Sequence, residues 1–528
     1  MLSLTIMIMA LLVLNGEPQA ALDAGNTGHS SGSPEWRQTA VSLAATTAAD
    51  IKDPYRRAEM LAHVAQAQMP IAEELVDKTL HDALSAADEV VEPTFQGWAL
   101  QEIVLAQLAA DDLLGARQTA ERIRSERPRS AAFAAIAQLQ LRAGNVAAAQ
   151  STARSVREAA TAGDLQRQIV LRQIADGRLP EARETALHIT DDLSSAQALG
   201  DVAAAKVRTG DIADANALAA HARKRYRAQV YGRIALARVD VGDLPGAVAT
   251  LANIDDALYR SLTQSRIGAH RAAAGDRSQA QKLFADAVAT LESAKSRDEI
   301  KSLTWAQLAR IQFAAGERAT AQESVHRAMD WLKATTGTQR DEALDAIARD
   351  QANMGDGEAA LSTAAQVSDR VVRALLIRDV IASQSDPETA EALVHHPAAV
   401  TDPLTKTAAL FGLVAVQLLH TNAKHESDGA TRTIDAAREA VLATKEETLQ
   451  PAALAALAAA RVTLGNADAA RPLFDEALNA AGALAPPEWR ANAYLQILRA
   501  LDERLYFLGK PLGGDDHDAS PGADAIQR

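Results

Sequence analysis

The chain has 528 residues, is 48% apolar but only 3% aromatic, contains no cysteine and carries a formal net charge of -14. Without cysteine there are no disulfides, no thiolate nucleophile and no Cys-ligated zinc or iron–sulfur site, and the acidic balance argues against a general nucleic-acid binder, which concentrates Lys and Arg against phosphate. Much of the apolar share is alanine, which favours closely packed helices over a sheet core.

Leu4 to Leu14 is an apolar run of signal-peptide length, too short for a comfortable membrane span. Residues 1–20 therefore read as a signal peptide, and the protein is expected to be periplasmic or secreted. The expected basic n-region is missing, so an uncleaved membrane anchor and a cytoplasmic chain with a misplaced start remain alternatives. Residues 21–33, rich in Gly, Ser, Asn and Ala without periodicity, read as a flexible linker. Order is expected from Ser33-Pro34-Glu35-Trp36, where Ser at the N-cap, Pro at the first helical position and Glu in the first turn are helix-start signals. Residues 34–93 then read as divergent N-terminal helices.

From residue 94 to 484 one spacing recurs. In Leu303 to Ala328, Trp305, Leu308, Ala309 and Phe313 fall on one helical stripe, Gly316-Glu317 interrupts it, and Ala321, Val325 and Ala328 begin a second. The unit is a helical hairpin. Asp111, Gly144, Gly177, Gly210, Gly242, Gly275, Gly316, Gly355 and Gly465 mark its turns, the first six separated by 33, 33, 33, 32 and 33 residues. Alanine stands five places after every one of these turns. The later intervals of 41 and 39 residues imply second helices longer by about two turns each. Two degenerate hairpins turn near Ser385-Asp386-Pro387 and Thr421-Asn422, the latter with an insertion, residues 423–432, expected as a surface loop.

These residues carry a family resemblance: the spacing resembles the tetratricopeptide repeat. Trp305, Leu308, Ala309, Ala321, Val325 and Ala328 match its places, as do Leu454, Leu457, Ala458, Ala470, Phe474 and Ala477. The resemblance implies an all-α fold, a right-handed superhelical α-solenoid of antiparallel helix pairs, gripping peptides on a concave surface lined by the first helix of each pair. Two features depart from the family's pattern. Its first-helix tyrosine is replaced by polar residues such as Gln312, Arg238 and Arg461, and its closing proline is mostly missing. Another helical-hairpin solenoid fits the spacing as well.

An open array exposes apolar faces at its ends, and residues 485–508 read as a C-terminal capping helix, beginning with Pro487-Glu488-Trp489-Arg490, a letter-for-letter copy of Pro34-Glu35-Trp36-Arg37. Residues 509–528 read as a disordered acidic tail.

No phosphate loop, nucleophile elbow or HExxH helix is present, so no catalytic, cofactor or metal residue is assigned and the protein is expected not to be an enzyme. Arg223 to Arg227, the densest basic run, reads as a solvated helix end. The expected concave lining, counted back from the turns, alternates small apolar residues such as Gly200, Gly232 and Ala306 with Arg167, Arg310 and Arg349. That suits a protein or peptide segment held by shape and a few charge-assisted bonds. The leading expectation is a protein–protein interaction scaffold that binds no nucleic acid and meets a membrane only through an uncleaved N-terminal anchor. The alternative is an enzyme or metal-binding protein built on His395 and His396 or on residues 423–432.

Overall fold

The computed structural model describes residues 34–333, 336–420 and 424–502. They form twenty-six α-helices and, among the described residues, no β-strand. The first is α1 (Pro34–Ala49). Hairpins follow it: α2 and α3 (Pro54–Gln68, Val76–Asp88), α4 and α5 (Pro93–Ala109, Leu113–Arg122), α6 and α7 (Glu126–Arg142, Val146–Ala153), α8 and α9 (Ala159–Ala175, Leu179–His188). Next come α10 and α11 (Asp192–Arg208, Ile212–His221), α12 and α13 (Arg227–Asp240, Leu244–Thr250), α14 and α15 (Ala257–Ala273, Arg277–Ser293), α16 and α17 (Asp298–Ala314, Arg318–Leu332). The last are α18 and α19 (Thr338–Asn353, Gly357–Ala364), α20 and α21 (Arg370–Ala382, Pro387–Val394), α22 and α23 (Pro403–His420, Lys424–Ala443), α24 and α25 (Gln450–Thr463, Ala467–Ala483), and then α26 (Pro487–Asp502). The chain is an all-α solenoid of antiparallel helix pairs.

The turns show why the spacing repeats. All eight glycines among the nine turn positions take φ between 75° and 86°, and the ninth, Asp111, is at 56°. At Gly316 the N–H donates to the Phe313 carbonyl at 2.8 Å, and the Glu317 N–H to the Gln312 carbonyl at 2.9 Å, a left-handed helix stop that satisfies the last carbonyls of α16. The residue after the turn often starts the next helix as well: the Asp112, Asn145, Asp211, Asp243, Asp276, Asp356 and Asn466 side chains each accept a backbone N–H three residues on. The alanines five places past the nine turns have no accessible surface, which lets the two helix axes approach closely. The longer intervals are accounted for by α15 and α17, of 17 and 15 residues against 10 in α11.

A buried polar pair replaces the missing tyrosine. Gln312 and Ser324 are both buried, and the Ser324 hydroxyl donates to Gln312 Oε1 at 2.7 Å. Thr152 and Gln140 repeat the arrangement at 2.8 Å. In five of the nine hairpins indexed on these turns the position is glutamine (Gln107, Gln140, Gln173, Gln312, Gln351), and a Thr or Ser stands twelve residues later in each. Three of the four basic residues at this position, Lys206, Arg271 and Arg461, face leucine at that place instead and pair with an aspartate: Asp211, Asp276 and Asp435 respectively.

The first helices of the hairpins (α2, α4 and onward to α26) form an inner layer in which each touches the next, and their partners form an outer layer. The two ends of this array meet. α26, expected as a cap, instead packs against α24 and α25 on one side and against α1 and α2 on the other. α1 thus serves as the outer helix of a thirteenth hairpin whose inner helix is α26, and the solenoid closes into a ring with no terminal apolar face left to cover. Trp36, Ala40, Val41, Ala44 and Ala48 are the buried stripe of α1.

One further expectation changes. Residues from Lys424 onward are helical, so the insertion lengthens α23 to 20 residues instead of forming a surface loop. α22 is the one described helix long and apolar enough to cross a membrane by length and composition, yet 67% of that window is buried within the ring, because it packs on α20, α21 and α23. The expected signal peptide and linker (residues 1–33), residues 421–423, the last part of the expected capping helix and the expected acidic tail (503–528) lie outside the described residues.

Candidate binding surface

Each inner helix meets its own outer helix, the preceding outer helix and two inner neighbours, which leaves one stripe facing the inside of the ring. On α16 that stripe is Leu303, Gln307, Arg310 and Ala314, spaced by helical turns. The inner face is not uniform. Most residues on this stripe are open or half-open from α4 to α18, with Asp201, Ala204, Leu262 and Leu303 the buried exceptions, whereas in α22 every residue from Leu404 to Val416 except Lys406 is buried, as is all of residues 451–460 in α24. The candidate surface is therefore the arc from α4 to α18.

All three arginines expected in the lining lie on this layer, and each pairs with an aspartate. Arg167 on α8 donates through Nε to Asp201 on α10 at 2.9 Å, and Arg233 on α12 reaches the other oxygen of the same carboxylate. A Cβ on Gly200 would meet Arg233 Cδ at 2.5 Å, so the absent side chain at that position makes room for the crossing. Gly200, Gly232 and Ala306 are buried against neighbouring helices instead of facing a ligand. Arg349 on α18 bonds Asp345 at 3.0 Å and Asp379 of α20 at 2.8 Å. Burial alone would lower its pKa, but the two carboxylates outweigh it and the guanidinium is held more firmly protonated than usual.

Arg310 is the loosest of the three, 3.9 Å from Asp350 and with a half-exposed side chain. Asp350 itself is buried, and desolvation pushes its pKa up from 3.8 to about 7, the nearby Arg310 charge offsetting only part of the rise. Ion pairs thus link α8, α10 and α12, and likewise α16, α18 and α20, across the inner face. These pairs set the spacing of adjacent inner helices, and because a guanidinium carries five N–H donors, Arg310 retains donors for a ligand on the open arc.

Elsewhere the candidate groups are used locally. The Arg223 and Arg225 guanidinium groups both bond Asp192, at 3.1 and 3.3 Å, and Arg227 reaches the Ala220 and Ala222 carbonyls at the end of α11. His395 is exposed at the end of α21, whereas His396 Nδ1 accepts the Ala398 N–H at 3.2 Å. Among the described residues no group of three or more His, Asp or Glu converges as a metal site. A groove on the outer layer escaped sequence reasoning. It lies between α15 and α17, whose unusual length was legible but whose separation was not.

No family model matches the sequence, and no curated protein matches it. Three solved structures resemble it in part. Ton1535 from Thermococcus onnurineus NA1 is 14% identical, with 64% of this chain and 97% of that chain covered and a TM-score of 0.25. The human IFIT1 dimer with PPP-AAAA is 12% identical, with 85% and 95% covered and a TM-score of 0.25. A circular tandem repeat protein with novel repeat topology and enhanced subunit contact surfaces is 12% identical, with 84% and 88% covered and a TM-score of 0.13. Likenesses this shallow carry no residue of those proteins over to this one.

Proposed function

We propose that this protein is a non-enzymatic interaction scaffold that holds a segment of a partner protein against the inner face of its ring, on the arc from α4 to α18. The observation that carries this reading is the contrast within one layer: the arc is open and studded with paired charges, while α22 and α24 are sealed and apolar. A partner bound there would be held by shape and by charge-assisted bonds to groups such as Arg310. Two predictable consequences separate it from an enzyme. A photo-crosslinking residue at Gln307 or Ala314 should capture a protein partner in its native source, and the same residue at exposed Glu358 on the outer layer should not. Equal capture from both positions, or none from either, would sink the proposal.

We further propose export to a periplasmic or extracellular space, supported by the Leu4 to Leu14 run. Mass spectrometry of the mature N-terminus tests it; an intact Met1 in a cytosolic fraction would overturn it.

A further inference from the structure

Two grooves of the outer layer can be compared place by place, counting from the hairpin turn. Between α25 and α1 the groove is filled. Trp36, five residues before the buried Val41, lies on Phe474, nine places past Gly465, with ring centroids 4.7 Å apart and planes 7° from parallel. Glu35 beside it reaches Arg471 at 3.6 Å. Between α15 and α17 the corresponding phenylalanine is Phe284, nine places past Gly275, but the place of Trp36, five residues before the buried Val325, holds Thr320. This groove is open, a cavity of about 400 Å³ with Phe284, Val288, Ala289 and Trp305 along it and Glu292, Glu323 and Arg327 at its edges.

The tetrapeptide that fills the closed groove occurs a second time. Pro487-Glu488-Trp489-Arg490 begins α26, and there the indole of Trp489 is 44% exposed on the rim of the ring. A large aromatic held on a rigid first turn presents contact area at little entropic cost. We propose that the α15–α17 groove receives Trp489 from a second copy of this chain, as the α25–α1 groove receives Trp36 within one copy. At the edge of the groove Arg327 pairs with Glu292 at 3.5 Å and with Glu323 at 3.0 Å, so the fit rests on the apolar floor and the indole. Because groove and tryptophan are different surfaces, the contact is heterologous and propagates from copy to copy instead of stopping at a symmetric pair.

Sedimentation of the full chain over a rising concentration series tests this. The wild type should self-associate, and Trp489→Ala and Ala289→Trp, both at exposed positions, should each weaken association at least tenfold while leaving the helical circular dichroism unchanged. Mixing Trp489→Ala, which keeps its groove, with Ala289→Trp, which keeps its tryptophan, should restore a one-to-one complex that grows no further. A wild type still monomeric at about 1 mM, a Trp489→Ala variant that associates like wild type, or a mixture that stays monomeric would each overturn the proposal.

Discussion

Trp36, near the start of the chain, and Phe474, near its end, stack with ring centroids 4.7 Å apart, so the joint that closes the ring is a contact between the first described helix and one of the last. Burial of a tryptophan typically contributes about 3–5 kcal/mol against alanine. Trp36→Ala is expected to release α1 from α25 and α26. Amide exchange should then rise throughout α1 and α26 while α10 and α12 stay protected, and the radius of gyration should grow. The neighbouring Glu35–Arg471 pair is exposed on both sides, so Arg471→Ala should change stability by less than about 1 kcal/mol. Unchanged exchange in α1 of Trp36→Ala would mean the joint is held elsewhere.

Asp350 makes stability depend on pH. Its folded pKa of about 7 lies above the ordinary 3.8, so the folded chain binds the proton more tightly than the unfolded one. The stability is fully present below about pH 4 and is lost as pH rises through about 7, by up to roughly 4 kcal/mol. Asp350→Asn should flatten this window and raise the urea midpoint at pH 8 but not at pH 4. Parallel pH profiles for the two proteins would contradict the burial argument.

The Gln312–Ser324 bond predicts non-additive mutations. Gln312→Leu strands the Ser324 hydroxyl, and Ser324→Ala strands the Gln312 carbonyl, each costing about 1–3 kcal/mol. Removing both partners should recover part of the loss, with a coupling on the order of 1 kcal/mol in a double-mutant cycle read by denaturant unfolding. Strict additivity would show that the two side chains act independently.

Asp111 is the one turn residue other than glycine with positive φ. Replacing it with glycine relieves a backbone cost of about 1–2 kcal/mol against an unfolded-state entropy cost of about 0.4–1 kcal/mol, so Asp111→Gly should be neutral to mildly stabilising. Gly316→Ala runs the comparison in reverse and should destabilise by about 1 kcal/mol. Thermal melts of the two variants give the signs directly.

Local structure was legible in the sequence because it rests on local chemistry. The nine turn positions are the left-handed residues, and the alanine five places on is where two helices meet. What failed to show involves separations the pattern does not encode. Pro487-Glu488-Trp489-Arg490 and Pro34-Glu35-Trp36-Arg37 were visible as copies, but that they open the two helices of one hairpin follows only from the summed curvature of thirteen units. Arg167, Arg310 and Arg349 were placed on the inner layer, but their aspartate partners sit one hairpin along the ring at a different register. The start of α23 lacks an apolar stripe and so looked like a loop, although the helix continues through it.

Closure also sets an order of events. In an open repeat array every helix finds its partner within a few dozen residues, so folding can follow synthesis from the first unit onward. Here α1 is made before every other described helix and its hairpin partner α26 after them, with more than 430 residues between the two. The apolar stripe of α1 must wait while those residues are synthesised for the surface that buries it. Contacts of such long sequence separation form slowly and leave apolar surface exposed in the interval. Between the making of α1 and of α26 the nascent chain therefore carries a sticky helix that a chaperone or a second nascent chain is able to occupy before its own partner arrives.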